Sequence, residues 1–265
     1  MKTDYAKTFV CSAWMLLLAV TPAHAEEPDA APDVQSKPAE EREVSWKALA
    51  PRFVDDQKKI WMFPAKVATG SHVLPTLAVL GATAGLVAAD PIEGRYFRAN
   101  EGSFHAFSNI FTGTTTTAVI LAVPAAFYVV GLARKDSYAE HTAMLAALAV
   151  ADVEIPNLMI RMTTRRIRPR DVPLNGNFSD TWFDAGANPW KAKGSFASGH
   201  AASAFAVATV IARRYSHHRW VPWVAYGAAG VIAFSRVTTQ SHFVSDAFFG
   251  SALGYSVGRF ATLRQ

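Results

Sequence analysis

Six apolar stretches, at 73–89, 112–133, 141–160, 200–212, 220–234 and 243–260, take up most of the chain beyond residue 70. No alternating apolar–polar pattern and no hairpin signal competes with them, so the spacing predicts an all-α body built as a helical bundle. The stretches are rich in Ala, Gly, Ser and Thr, which let helix backbones approach closely. Several are short enough to be core helices as easily as membrane spans. Of the 265 residues, 51% are hydrophobic and only 18% charged, below the roughly 25% charged of an average soluble domain. That balance excludes a disordered chain and points to a membrane-associated bundle.

The N-terminus has the layout of a secretory signal peptide over residues 1–25. Lys2 and Lys7 precede an apolar run from Phe9 to Val20, and Ala23-His24-Ala25 offers a cleavage site before Glu26. The run is short for an ordinary span, and an uncleaved anchor is the other reading. The expectation is an exported protein, held in an inner membrane with a periplasmic active site or free in the periplasm. Cys11 is the chain's one cysteine, so a disulfide framework and a cysteine metal cluster are both excluded. Residues 26–43, rich in Pro, Ala and acids, read as a disordered acidic linker. Residues 44–70 carry Trp46, Phe53, Ile60, Trp61 and Phe63 among charges, the pattern of an interfacial or amphipathic segment, or equally of a surface helix packed on the bundle. The helical domain proper is then 71–265.

The net charge is +5 overall. Since 26–43 alone is strongly acidic, the body from residue 44 onward is distinctly basic. Such a body suits nucleic acid, an anionic membrane surface or an anionic small substrate, and the placement of the arginines chooses among them. Arg134-Lys135, Arg213, Arg214, Arg219, Arg259 and Arg264 follow apolar stretches, as cytoplasmic loops do. The connections 161–197 and 235–242 then face outward. An exported residue 26 agrees with that only if 73–89, with Pro75, Gly81 and Gly85, is re-entrant or interfacial rather than a span.

Three polar clusters interrupt the apolar chain. The first holds Arg161, Arg165, Arg166, Arg168 and Arg170 within ten residues; the guanidinium fork matches phosphate oxygens bidentately. The second, Gly194 to Ser203, places Ser198, Gly199 and His200 at a helix start, where free backbone N–H groups favour an anion. The tetrad Thr114–Thr117 reads as packing within the bundle. The third runs from Ser235 and Arg236 to His242 and Asp246. On a helix, residues at i and i+4 share a face, so Asp246 can orient the His242 ring and leave its other nitrogen free as nucleophile or base. A carboxylate in so apolar a stretch needs a partner. No Asp, Glu and His set has metal spacing, so no metal and no cofactor is expected, and the arginines supply the charge stabilisation.

The ordered pattern Arg161-x6-Arg168-Pro169, Ser198-Gly199-His200, then Ser235-Arg236-x5-His242-x3-Asp246 resembles the type 2 phosphatidic acid phosphatase and vanadium haloperoxidase superfamily. The resemblance implies a helical phosphatase domain. It also implies that His242 attacks phosphorus, that Asp246 holds His242, and that His200 protonates the leaving oxygen and then activates water. Arg161, Arg168, Arg236, Ser198 and Gly199 would grip the phosphoryl oxygens. Two positions depart from the family pattern: Arg161 stands for its usual lysine, and Ala197 for its usual proline. The implied activity is metal-independent hydrolysis of a phosphate ester of the cell envelope. The substrate would be a lipid phosphate or pyrophosphate, or a small phosphate ester, with no nucleic acid as partner. A non-specific periplasmic acid phosphatase, a vanadate-dependent haloperoxidase and a non-catalytic binder of anionic lipid are the alternatives. Trp182, Phe183, Trp190, Lys191 and Lys193, in the outward connection, suit a lipid headgroup or simply cover the bundle.

Overall fold

A computed structural model describes residues 44–184 and 194–263. The segments read as signal peptide and linker, and Trp190, Lys191 and Lys193, lie outside the described residues. The described residues are all-helical. α1 (Trp46–Trp61) and α2 (Phe63–Ala68) lead into α3 (Val73–Ala99) and the short α4 (Glu101–Ile110). α5 (Gly113–Arg134), α6 (Ser137–Thr164), α7 (Gly199–Arg214), α8 (Val221–Thr238) and α9 (Val244–Val257) complete the bundle, closed by a π-helical turn over Gly258–Thr262.

Local chemistry sets the helix ends. Thr112 caps α5 by accepting the Thr115 N–H, Asp136 caps α6 through the Tyr138 and Ala139 amides, and Ser198 caps α7 through Ala201, each satisfying donors that a helix start leaves unpaired. Lys135 and Arg165 end α5 and α6 in the left-handed region, at φ 54° and 40°.

α7 is the axis of the core. Ala201, Ala202, Ala206 and Val210 are wholly buried on it, and it packs against α6, α8 and α9. Its crossing with α9 is backbone against backbone. A Cβ at Gly250 would stand 2.5 Å from the Ser198 carbonyl oxygen, and one at Gly254 would overlap the Ala202 carbonyl. Gly254→Ala is therefore expected to force the two helices apart and to cost about 1–3 kcal/mol. A lowered Tm with unchanged helical circular dichroism would register this; an unchanged Tm would show that the crossing is slack.

Around this core lie the longer apolar helices. Val73–Ala99, Gly113–Arg134 and Ser137–Asp171 are each long and apolar enough to cross a membrane, and α3 and α5 turn Leu74, Leu77, Leu121 and Val129 outward, all more than half exposed. The shorter α7 and α9 are core helices. α1 packs on α6 and the C-terminal turn: Gln57 donates to the Asp152 carbonyl at 3.0 Å and Lys59 to the Ala261 carbonyl at 3.2 Å.

Of the two expectations for 73–89, re-entrant or interfacial, the re-entrant one does not hold. α3 is one continuous helix of 27 residues. Pro75 sits in its first turn, where the missing N–H is unpaired in any helix. Gly81 and Gly85 have nothing within 4 Å of a built Cβ, so they break nothing. Val44 consequently lies with Tyr138, Arg213 and Leu263, at the end of the bundle opposite the one where α6 and α8 finish and α7 and α9 begin.

Candidate functional site

At that second end the three polar clusters meet. α6 delivers Arg161 in its last turn, and the chain then leaves the helix through Arg165 toward Arg166, Arg168 and a 3-10 turn at Pro169–Asp171. Two backbone bonds fold this segment over the start of α7: Ile167 N–H to the Thr181 carbonyl at 2.8 Å, and Ser195 N–H to the Arg166 carbonyl at 2.7 Å. α8 brings Arg236 in its last turn, and a tight turn then places His242 ahead of α9.

His242 is 2% exposed. Its Nδ1 lies 2.7 Å from the Ser195 carbonyl oxygen. A carbonyl only accepts, so Nδ1 carries the hydrogen and Nε2 keeps a free lone pair. Asp246 contacts His242 differently from the sequence reading. His242 stands before the helix rather than on it, so the i,i+4 face argument does not hold, and Asp246 Oδ2 is 3.8 Å from Nδ1. Ser195 bridges them: its carbonyl takes the His242 hydrogen while its hydroxyl donates to Asp246 Oδ2. Oδ2 also accepts the Phe243 N–H at 2.9 Å, closing the first turn of α9.

The other oxygen of Asp246 is held by Arg166. This guanidinium is 1% exposed and donates to Asp246 Oδ1 at 2.7 Å, to Ser245 Oγ at 2.8 Å, to Thr181 Oγ1 at 3.1 Å and to Asp90 Oδ2 at 2.5 Å. Its flat faces lie over the rings of Phe243 and Trp182, at 3.9 and 4.4 Å. Asp90 also accepts the Ser245 hydroxyl at 2.6 Å, and Glu93, one turn on, accepts the Val244 N–H at 2.8 Å. Arg166, Ser195 and Asp90 were not singled out from the sequence. The signal for Asp90 and Glu93 was present, since carboxylates in an apolar stretch require partners.

Burial works to raise the pKa of Asp246, but Arg166, His242 and the Ser195 hydroxyl outweigh it and hold the carboxyl below its usual value. His242 is pulled below its usual value, first by burial and then by Arg161 and Arg168, despite Asp246. That direction favours the neutral imidazole, the form able to act as a nucleophile.

His200, in the first turn of α7, places Nε2 3.2 Å from the Gly113 carbonyl and 3.1 Å from Thr117 Oγ1. The threonine tetrad thus supports a site residue rather than only packing: Thr116 is wholly buried while Thr117 touches the ring. With Nε2 bonded to a carbonyl, Nδ1 is the atom that takes or gives a proton. Burial first, then Arg236 and His242, push the His200 pKa down to about 4, so a proton settles there only when negative charge arrives nearby.

The arginines differ in how they are held. Arg236 is buried beside Ser235 and donates to the Phe111 carbonyl; burial, then Arg170, brings it down to about 10, still a cation. Arg161 donates through Nε to the Ala197 carbonyl at 3.3 Å; a Cβ at Gly199 would stand 2.9 Å from Asn157 Nδ2 and 3.4 Å from Arg161 Nη2, so the glycine leaves room chiefly for Asn157. Arg168 makes no side-chain hydrogen bond with a described residue, and its buried Nε has no partner. Ser198 is fully buried, its hydroxyl capping α7 and its N–H donating to the Asp246 carbonyl at 3.1 Å. The Trp182 side chain packs on Arg166 and Phe196 instead of standing free for a headgroup. Phe183 is 63% exposed. Among the described residues no group of three or more His, Cys, Asp or Glu is placed to hold a metal ion.

The arrangement offers a neutral, oriented imidazole, a second imidazole able to carry a proton, and unspent guanidinium donors. That set can attack and stabilise a phosphoryl group. Comparison with known proteins agrees in kind. Residues 140–265 match the family model of the PAP2 superfamily, a range that contains every arginine and histidine of the site. Over 68 residues the chain is 38% identical to a lipid A 1-phosphatase of Porphyromonas gingivalis, covering 25% of this chain and 15% of that one; the chain thus spans a small part of that relative's length. A crystal structure of a transmembrane PAP2 type phosphatidylglycerolphosphate phosphatase from Bacillus subtilis aligns with TM-score 0.44 and 19% identity, over 68% of this chain and 90% of that one.

Proposed function

We propose, from the match of residues 140–265 to the PAP2 superfamily model, that the chain is of that superfamily and hydrolyses a phosphate ester, a lipid phosphate or pyrophosphate of the cell envelope, through a phosphohistidine on His242. One observation carries the reading: His242 is fixed through Nδ1 to Ser195, beside an Arg168 guanidinium that has no hydrogen-bond partner among the described residues.

In the first step the Nε2 lone pair of His242 forms a bond to phosphorus as the bond from phosphorus to the ester oxygen breaks. The leaving alkoxide takes the proton carried by His200 Nδ1, which the phosphate's own negative charge holds there. Arg161, Arg168 and Arg236, with the Gly199 amide at the start of α7, stabilise the charge on the equatorial oxygens. In the second step neutral His200 takes a proton from water, the hydroxide oxygen bonds to phosphorus, the P–N bond breaks and orthophosphate leaves. Asp246, Ser195 and Arg166 keep the His242 ring in its tautomer throughout.

The lipid substrate is supported by the outward leucines of α3 and α5, which set the site at the end of a bundle with an apolar exterior. A release assay for inorganic phosphate, run on phosphatidic acid, phosphatidylglycerol phosphate, a polyprenyl pyrophosphate and a lipid A phosphate, tests the function. Turnover of at least one of these is expected, and none by the His242→Ala protein. Because arginines carry the charge, activity is expected to survive EDTA and to be inhibited by vanadate, which occupies the same cradle. Dependence on an added divalent metal would contradict the reading.

We place the site on the periplasmic side, which sets aside the exported N-terminus, since Val44 lies at the opposite end. Arg134-Lys135 and Arg213–Arg219 lie at the opposite end, where basic residues favour the cytoplasm. In a Cys11→Ser background, a cysteine at exposed Asn175, beside the site, is expected to react with an impermeant thiol reagent on intact spheroplasts. One at exposed Ser216 is expected to stay unlabelled. Equal labelling of both would instead indicate a bundle that crosses no membrane.

A further inference from the structure

At the end remote from His242, a cavity of about 350 Å³ opens between α1, α6, α7 and the C-terminal turn. Arg52, Arg213, Arg214 and Arg259 line it, and among the described residues no carboxylate does. Its volume falls in the range of about 300–1,000 Å³ usual for small-molecule sites. Along α7 it lies about 20 Å from His200, at 1.5 Å per residue, so it is not part of the catalytic cluster.

The wall is built rather than incidental. Arg214 donates to Thr142 Oγ1 at 2.7 Å and lies over the Tyr138 ring at 4.0 Å, while the Tyr138 hydroxyl donates to the Arg214 carbonyl. Arg52, Arg213 and Arg259 are each partly buried, yet none is in ion-pair distance of a described carboxylate. The acid nearest in sequence to Arg52, Asp56, is already paired with Lys59 at 2.8 Å. The like charges of Arg52, Arg213 and Arg259, converging on one partly desolvated space, repel one another. An anion placed among them would relieve that repulsion, and the guanidinium fork fits phosphate oxygens best. Trp220 and Trp223, at the start of α8 on the same end, are 64% and 74% exposed, the disposition of aromatic residues at a membrane–water boundary.

We propose that this cavity is a second anion site, independent of the catalytic one, that takes a phosphate group, carried by the headgroup of an anionic lipid or free in solution. Basic pockets between helices on the cytoplasmic side suit such headgroups. Occupancy would brace α1 against the ends of α6 and α7, and so stabilise the fold.

The test is the thermal stability of the full chain, purified in detergent and titrated with short-chain phosphatidylglycerol, short-chain phosphatidylcholine or inorganic phosphate. The double variant Arg213→Gln/Arg259→Gln is compared with the native protein and with Arg134→Gln, which lies outside the cavity. Phosphatidylglycerol is expected to raise Tm in the native and Arg134→Gln proteins, with that rise at least halved in the double variant, and phosphatidylcholine to have no effect. Inorganic phosphate also meets the catalytic arginines, so its informative quantity is the difference between native and double variant. A difference as large as the lipid's assigns the site to free phosphate, and a negligible one assigns it to the lipid. Should the double variant fail to fold, Ser216→Glu, at an exposed position of the lining, adds a repelling charge and is expected to weaken the same rise. A phosphatidylglycerol shift that is absent in the native protein, is matched by phosphatidylcholine, or persists in full in the variants would overturn the proposal.

Discussion

Replacing His242 by alanine is expected to lower phosphate release on the order of 10⁴-fold or more, the scale on which removal of an attacking group acts, while leaving the helical circular dichroism intact. The ring is buried, but its closest polar contact is with a carbonyl, that of Ser195, the Ser195 hydroxyl lying farther off at 3.5 Å, and a carbonyl left without this donor costs only about 1–3 kcal/mol. The loss should therefore appear in kcat, with phosphate and vanadate still bound by Arg161, Arg168 and Arg236. Residual turnover within tenfold of the native rate would remove His242 from the chemistry.

Arg166→Met is expected to be the most damaging change to the scaffold beneath the site. Its guanidinium is the cation between Asp90 and Asp246, both wholly buried. Breaking such a pair by removing one partner costs about 3–5 kcal/mol, because the stranded charge stays buried. Asp246 would lose the interaction that does most to keep it ionised, and with it the hold on the Ser195 hydroxyl. Pairing the change with Asp90→Asn separates stability from positioning. The double variant should recover part of the lost Tm, since one stranded charge is gone, but not the lost kcat, since Asp246 is still without Arg166. Recovery of both together would make Arg166 purely structural, and a native Tm in Arg166→Met would show that the buried network contributes little.

These two residues also mark how far the sequence could be read. The all-α architecture was legible because six apolar stretches without strand alternation leave few other ways to bury themselves. The meeting of Arg161, Arg168, His200, Arg236 and His242 at one end was legible from motif order, given helices that run alternately up and down. Arg166 was not, because five arginines in ten residues give no ranking; only the fold shows that Arg166 turns inward between two aromatic rings while Arg168 stays without a hydrogen-bond partner. The nearness of His242 and Asp246, 3.8 Å apart, was legible from their spacing, but not the route between them, because His242 stands before the helix start. Phe243 caps α9, which puts His242 in the preceding turn and leaves Ser195 to make the connection. Pro75, Gly81 and Gly85 were read as weakening 73–89. A proline in the first turn and glycines facing open space do not interrupt a helix, and α3 runs unbroken. Trp182 suits a headgroup or a cover for the bundle equally, because aromatic composition carries no direction; the ring lies on Arg166 and Phe196.

The central claim is a covalent phosphoryl intermediate on His242, and rapid-quench trapping tests it most directly. Full-length protein is mixed with a substrate labelled in its phosphoryl group, quenched in alkali within one turnover, digested and sequenced by mass spectrometry. Alkali preserves a phosphoramidate while the label's position is read. Label on the peptide containing His242, absent from the His242→Ala protein, is the predicted result. Label on any other residue, or a native protein that turns over at full rate without ever carrying label, would contradict it.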